Sequence, residues 1–189
     1  MGLVILGSPR KGGNTEILAG QVVVGMKDTG MDVEIIRLTD YRISPCLACG
    51  GCEKTGCCVI QDDMQKLYPI IDGADRLVLV SPIYFYGVTA LLKAFIDRGQ
   101  AQWSRKYLLR QNRQGRVPRI GYLISAAATK GEKVFDGAIL TAQYSLDAMD
   151  FKYGGGLLVR GVDRKGAVND MPDELERARQ FGRKIAGCG

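Results

Sequence analysis

The sequence predicts an α/β fold in which one parallel β-sheet carries helices on both faces. Three observations lead there. Five short apolar segments suited to strands alternate with five segments of helical periodicity, the pattern of repeated βαβ units. The first apolar segment runs directly into a glycine-rich turn and then a helix. The length, 189 residues, suits a single domain covering 1–189, with no internal repeat, low-complexity tract or linker composition to divide it.

Residues 2–7 (GLVILG) form an apolar run ended by Ser8-Pro9-Arg10, as a strand buried on both sides requires. A helix over 15–27 follows, with Ile17, Leu18, Val22 and Met26 at helical spacing and Gly30 as its stop. Residues 31–38 begin with polar and apolar residues in alternation, the mark of an edge strand. A cysteine-rich loop runs to Asp62, where Asp62 and Gln65 resemble a capping box opening a helix that stops at Gly73. Residues 76–80 (RLVLV) make a buried strand broken by Ser81-Pro82, and 88–98 a helix built on Leu91, Leu92, Phe95 and Ile96. Strands over 120–124 and 157–159 flank a helix over 135–149, and Pro172 opens a last helix that runs to Ile185.

Composition narrows the chemistry. There is no histidine, which removes Ser-His-Asp and Cys-His nucleophile pairs, histidine-ligated metals and a histidine base. The 26 Lys and Arg against 20 Asp and Glu give a net charge of +6, which suits acidic small molecules or acidic protein partners. No nucleic-acid-binding motif accompanies that charge. No apolar run approaches the ~18 residues of a membrane span and no basic leader precedes the first strand, so the expected location is cytoplasmic.

In open α/β sheets ligands bind beyond the carboxyl ends of the strands, and two loops have that position. Gly7-Ser8-Pro9-Arg10-Lys11-Gly12-Gly13-Asn14-Thr15 offers hydroxyls, a guanidinium and backbone N–H groups at a helix start, a combination that binds phosphate. It lacks the Lys-Ser/Thr of a Walker loop, and read plainly it is a strand-to-helix turn capped by Asn14 or Thr15. Ser81-Pro82-Ile83-Tyr84-Phe85-Tyr86-Gly87 puts three aromatics in a loop after a buried strand, suited to covering a flat ligand or to an interface.

Through GSPRKGGNT, SPIYFYG and Leu91-Leu92-Lys93-Ala94-Phe95-Ile96-Asp97-Arg98, nearly the whole chain resembles the flavodoxin-like NADPH-dependent FMN reductase superfamily. The resemblance implies a three-layer fold whose five-stranded parallel sheet has the order 2-1-3-4-5, with FMN at the junction of strands one and three; flavodoxin is the standard example of that geometry. It further implies that Ser8, Arg10, Asn14 and Thr15, with Lys11 and Gly13, hold the FMN phosphate. Pro82, Ile83, Tyr84, Phe85, Tyr86 and Gly87 then flank the ring, and Ser125, Ala126, Ala127 and Thr129, in the segment 125–130, form a third wall.

Five of the six cysteines fall between Cys46 and Cys58, too tightly for a disulfide framework. Cys46-x2-Cys49-x2-Cys52 with Cys57 and Cys58 close behind suits one iron-sulfur cube better than zinc, whose structural sites take two CxxC pairs with a longer insert. Free thiols are the plain alternative. The segment, followed by Val59-Ile60-Gln61-Asp62-Asp63-Met64, is similar to the iron-sulfur flavoprotein branch of the superfamily, which implies a 4Fe-4S cluster on CxxCxxC and a cysteine four to seven residues later. Cys57 and Cys58 both meet that spacing, and the resemblance favours Cys58 as ligand beside Cys46, Cys49 and Cys52, leaving Cys57 spare; Cys188, near the terminus, has no assigned role.

The stretch 98–119 holds Arg98, Arg105, Lys106, Arg110, Arg113, Arg116 and Arg119 and no acidic residue, and reads as a solvated surface or a guide for acidic partners. Trp103 and Tyr107 within it suit core or dimer anchors. The pair Asp62 and Asp63 reads as a helix start rather than a two-carboxylate site. The expected function is electron transfer by FMN, which needs no protein acid or base, from NAD(P)H or a ferredoxin to a small-molecule acceptor such as a quinone or an oxygen species. A cluster-free NAD(P)H-dependent FMN or quinone reductase, and a non-catalytic electron carrier or redox sensor, are the other readings. The resemblance also implies a homodimer or homotetramer.

Overall fold

The computed structural model describes residues 1–111 and 118–187. Arg113 and Arg116 of the basic stretch, and Cys188, lie outside the described residues. The elements in chain order are β1 (Gly2–Leu6), α1 (Asn14–Asp28), β2 (Val33–Arg37), α2 (Gly51–Thr55), α3 (Met64–Gly73), β3 (Arg76–Pro82), α4 (Ala90–Asp97), α5 (Gln100–Trp103), β4 (Ile120–Ala127), α6 (Asp136–Ala148), β5 (Lys152–Arg160) and α7 (Pro172–Gly187). Short 3-10 turns lie at Leu38–Asp40 and Ala167–Asp170, and a π-helical turn at Ser104–Leu108 continues α5.

All strand pairs are parallel, in the order β2-β1-β3-β4-β5. Strand side chains alternate between faces, so each central strand feeds two cores. Leu3, Ile5, Leu77, Leu79 and Leu123 meet α3, α4 and α6, while Val4, Leu6, Val78, Val80 and Ile124 meet α1 and α7. Helices α1 and α7 cross with their backbones touching. A Cβ on Gly25 or on Gly182 would overlap the other helix's main chain, at the Arg179 or the Val22 carbonyl oxygen respectively.

Three sequence expectations are corrected. Ser81-Pro82 does not break the third strand: both residues stay in β3, paired with Ser125 and Ala126. The next N–H, that of Ile83, donates to Ala126, so the Pro82 nitrogen faces the β1 side, where β1 has already ended opposite Val80. β5 is longer than 157–159: it starts at Lys152 and carries Gly154, Gly155 and Gly156 alongside β4, Gly155 at φ +110 beside a register shift.

The third correction concerns the basic stretch, which is not a solvated surface at its ends. Arg98 and Arg119 are 1% and 7% exposed. Arg119 donates to the Ala74, Met149 and Ile71 carbonyls and stacks on Phe151. Trp103 and Tyr107 pack on each other with ring centroids 5.7 Å apart, outside the main core, and the Tyr107 hydroxyl donates to Asp147.

Candidate functional site

The carboxyl end of β1 leads into the loop that starts α1. Ser8 is buried, and its hydroxyl oxygen accepts from the Arg10 N–H at 3.2 Å, curling the loop back on itself. Gly7 is pinned from the other side: Thr89 donates to its carbonyl, and a Cβ on it would come within 2.7 Å of Leu92. Thr89 also caps α4 by accepting from the Leu92 N–H. The capping expected at α1 is different. Its N-cap is Gly13, with no side-chain cap, so the first-turn N–H groups of a 15-residue helix face the loop.

Glu16 braces the loop, accepting from the Gly12 N–H at 2.7 Å while Arg37 clasps its carboxylate. The Arg37 guanidinium holds that carboxyl below its ordinary value of 4.5, against the opposing effect of burial.

A cavity of about 100 Å³ lies over this loop, lined by Ser8, Arg10, Gly13, Asn14 and Thr15, by Pro82, Ile83, Tyr84 and Ala126 from the ends of β3 and β4, and by Ala128, Val162, Asp163 and Lys165. Most of the expected phosphate-loop residues therefore come together, with two qualifications. The Asn14 side chain is engaged by the loop after β5, donating to the Arg164 and Val162 carbonyls and accepting from the Val168 N–H. Lys11 does not line it.

The two expected walls are narrower than the sequence implies. Phe85, Tyr86 and Gly87 stand off the cavity; Phe85 and Tyr86, at φ +49 and +63, form a tight turn closed by reciprocal Tyr84 and Gly87 backbone bonds. Left-handed conformations at two adjacent bulky residues are strained, and they leave Phe85 fully exposed. Ser125 is wholly buried and donates to the Ser81 carbonyl, Ala127 packs against Val134 and Phe135, and Thr129 is exposed away from the cavity. Sequence reading missed Val162, Asp163 and Lys165. Their signal is the charged loop between Gly161 and Gly166 that follows the fifth strand, also at a carboxyl end.

The cysteine loop lies on the other face of the sheet, where Cys52 and Cys58 pack against the core under α3 and α4. Gly50 and Gly56, at φ +69 and +72, bracket the one-turn helix α2, which carries Cys52 just after Cys49. Cys46, Cys49, Cys52 and Cys58 line one cavity of about 420 Å³ together with Asp97, Arg98, Gln100 and Ala101. Cys57 does not; it opens on a neighbouring cleft with Tyr68, Pro69 and Arg105, which Cys58 also borders. The five described cysteines are all free thiols. No three His, Cys, Asp or Glu side chains among the described residues crowd together as they would around one metal ion.

The wall of that cavity is rigid and charged. Arg98 donates to Asp62 at 2.6 and 3.1 Å and to the Ser44 and Ile60 carbonyls, while Asp62 also accepts from the Ser44 and Met64 N–H groups. Burial pushes the Asp62 carboxyl up, but Arg98 and the backbone donors outweigh it and hold it below its ordinary value. The capping box is thereby corrected: Asp62 does receive the Met64 N–H, but Gln65 reaches the Cys58 and Ile60 carbonyls instead of turning back to Asp62.

The family model described as NADPH-dependent FMN reductase matches residues 2–132. An iron-sulfur flavoprotein of Archaeoglobus fulgidus is 31% identical over 184 residues, 96% of this chain and 77% of that protein. One from Methanosarcina thermophila is 33% identical over 117 residues, 62% of this chain and 61% of that protein. Among solved structures, the NAD(P)H:quinone oxidoreductase from Methanothermobacter marburgensis superposes with a TM-score of 0.71 at 18% identity, over 99% of this chain and 96% of that one, a likeness of fold.

Proposed function

The chain belongs to the NADPH-dependent FMN reductase family, on its iron-sulfur flavoprotein branch, and from that premise we propose that it moves electrons between a donor, FMN and a small acceptor through a 4Fe-4S cluster on Cys46, Cys49, Cys52 and Cys58. It is a flavin-dependent oxidoreductase. The observation that carries the cluster is that these four thiols border one cavity, which Cys57 does not reach, although Cys58 borders the cleft beside Cys57 as well. A cube offers a separate iron to each thiol, so thiols spread around a cavity suit it better than thiols converging on a point.

Bound in their cavities, FMN supplies hydride and single-electron chemistry and the cluster supplies one-electron transfer. The chain's residues do the rest. Arg10 and Lys165 neutralise the FMN phosphate, and the uncapped start of α1 donates N–H groups to it. Pro82, Ile83, Tyr84 and Ala126 cover one side of the ring and exclude water. The exposed Phe85 and Tyr86 offer a second copy of the chain an apolar contact, in keeping with the expected homodimer or homotetramer. No helix among the described residues is long and apolar enough to cross a membrane.

The proposal is tested by anaerobic flavin reduction, followed at the flavin absorption band, with intact protein and with protein stripped of iron by a chelator. A reduced ferredoxin-type donor reduces the intact flavin at least about tenfold faster than the stripped one. Equal, rapid reduction of both by NADPH, with no response to the one-electron donor, makes the chain a cluster-free reductase.

A further inference from the structure

We propose that Arg98 holds the Cys58 sulfur in place and raises the reduction potential of the cluster, by donating its Nε–H, which has no hydrogen-bond partner among the described residues. The inference rests on the cluster reading above and goes beyond it by assigning a residue that is not a ligand.

Arg98 falls just beyond the end of α4 with its side chain fully buried. Its two terminal nitrogens are spent on Asp62, the Ser44 carbonyl and the Ile60 carbonyl. These four bonds fix the guanidinium plane. Its Nε is buried as well, yet has no hydrogen-bond partner. An unsatisfied buried donor on a cation is costly, and native proteins keep one where something outside the chain receives it.

Arg98 and Cys58 both border the four-cysteine cavity. Gln65 donates to the Cys58 carbonyl at 3.0 Å, which fixes the backbone that carries the sulfur. Cys52 has a comparable arrangement, with the buried Ser104 hydroxyl 3.5 Å from its sulfur. Cys52 and Cys58 are the two of the four thiols that pack on the core; Cys52 has the Ser104 hydroxyl as its donor, and the donor proposed for Cys58 carries a full charge.

Reduction adds negative charge to a cluster, and charge-assisted hydrogen bonds to its sulfurs favour the reduced form. Arg98 therefore makes the cluster a better acceptor from a one-electron donor than the thiols alone would. Asp62 offsets part of that charge, which keeps the pair nearly neutral when the cavity is empty.

The test is a redox titration of the cluster, followed by electron paramagnetic resonance, on anaerobically purified full-length protein after iron and sulfide assay. Wild type is compared with Arg98→Lys and with the double variant Arg98→Met/Asp62→Asn, which removes both charges together. The double variant should favour the oxidised cluster at least tenfold more than wild type, about 59 mV for one electron, and Arg98→Lys should shift less in the same direction. A purely structural role would lower the urea midpoint and leave the potential alone. Wild type without iron overturns the cluster reading and this inference with it. Iron-loaded wild type beside iron-retaining variants of unchanged potential overturns the inference alone, as does loss of iron from both variants, which would make Arg98 a brace for the loop.

Discussion

Arg98 and Asp62 form a buried ion pair, joined by bonds of 2.6 and 3.1 Å, that ties the end of α4 to the end of the cysteine loop. Helix α4 is capped by Thr89, which is bonded to Gly7 just after β1, so its eight residues, about 12 Å, link the two cavities. Removing one member of such a pair leaves an uncompensated charge. Asp62→Ala is expected to cost about 3–5 kcal/mol in urea denaturation, and a loss under about 1 kcal/mol would show that the pair is not what holds the loop.

The two adjacent cysteines separate in their effects. Cys57→Ser keeps about four irons per chain and Cys58→Ser loses iron, as measured by iron and sulfide assay on anaerobic protein. The reverse outcome would move the fourth ligand to Cys57.

Where α1 crosses α7 there is no room for a methyl group, because both candidate Cβ positions overlap main-chain oxygen rather than a side chain that could swing aside. Gly182→Ala should cost about 1–3 kcal/mol or more by urea denaturation. A neutral result would mean that the helices can part without loss.

Glu16 and Asp62 both titrate below their ordinary values of 4.5 and 3.8. A carboxyl depressed on folding adds stability that is present in full above its unfolded value and is lost as the pH falls through the folded one. The urea midpoint should hold between about pH 7 and about pH 5 and drop toward about pH 3, with a smaller drop in Glu16→Gln. Loss of stability already between pH 7 and pH 5 would contradict this assignment.

The Ser8 hydroxyl both shapes its loop and borders the cavity. Ser8→Ala should weaken FMN binding by about tenfold, near 1.4 kcal/mol, as read by fluorescence titration with FMN. Unchanged affinity would exclude Ser8 from the binding site.

Much of this was legible in the sequence because periodicity and turn chemistry report burial directly. Gly2–Leu6 reads as a two-sided strand and is one, and Pro172 opens α7 as its position foretold. The misses share one cause, that tertiary partners are invisible in one dimension. Arg98 belongs both to the predicted helix over 88–98 and to the basic stretch, and the partners that bury it just beyond α4, Asp62 and the Ser44 and Ile60 carbonyls, are distant in sequence. The bond from the Asn14 amide to the loop after β5 spans 150 positions, which no local pattern signals. The bond from the Ser125 hydroxyl to the Ser81 carbonyl, across the sheet, is equally invisible in the sequence.

The central claim, one chain holding both flavin and cluster, is tested most directly by the ultraviolet-visible spectrum of protein purified without oxygen, with iron and acid-labile sulfide assayed on the same sample. Flavin bands on a broad sulfur-to-iron absorption, with about four irons per chain, are the predicted result. Flavin bands without iron would contradict the cluster, and no flavin signal even after FMN is added would contradict the account as a whole.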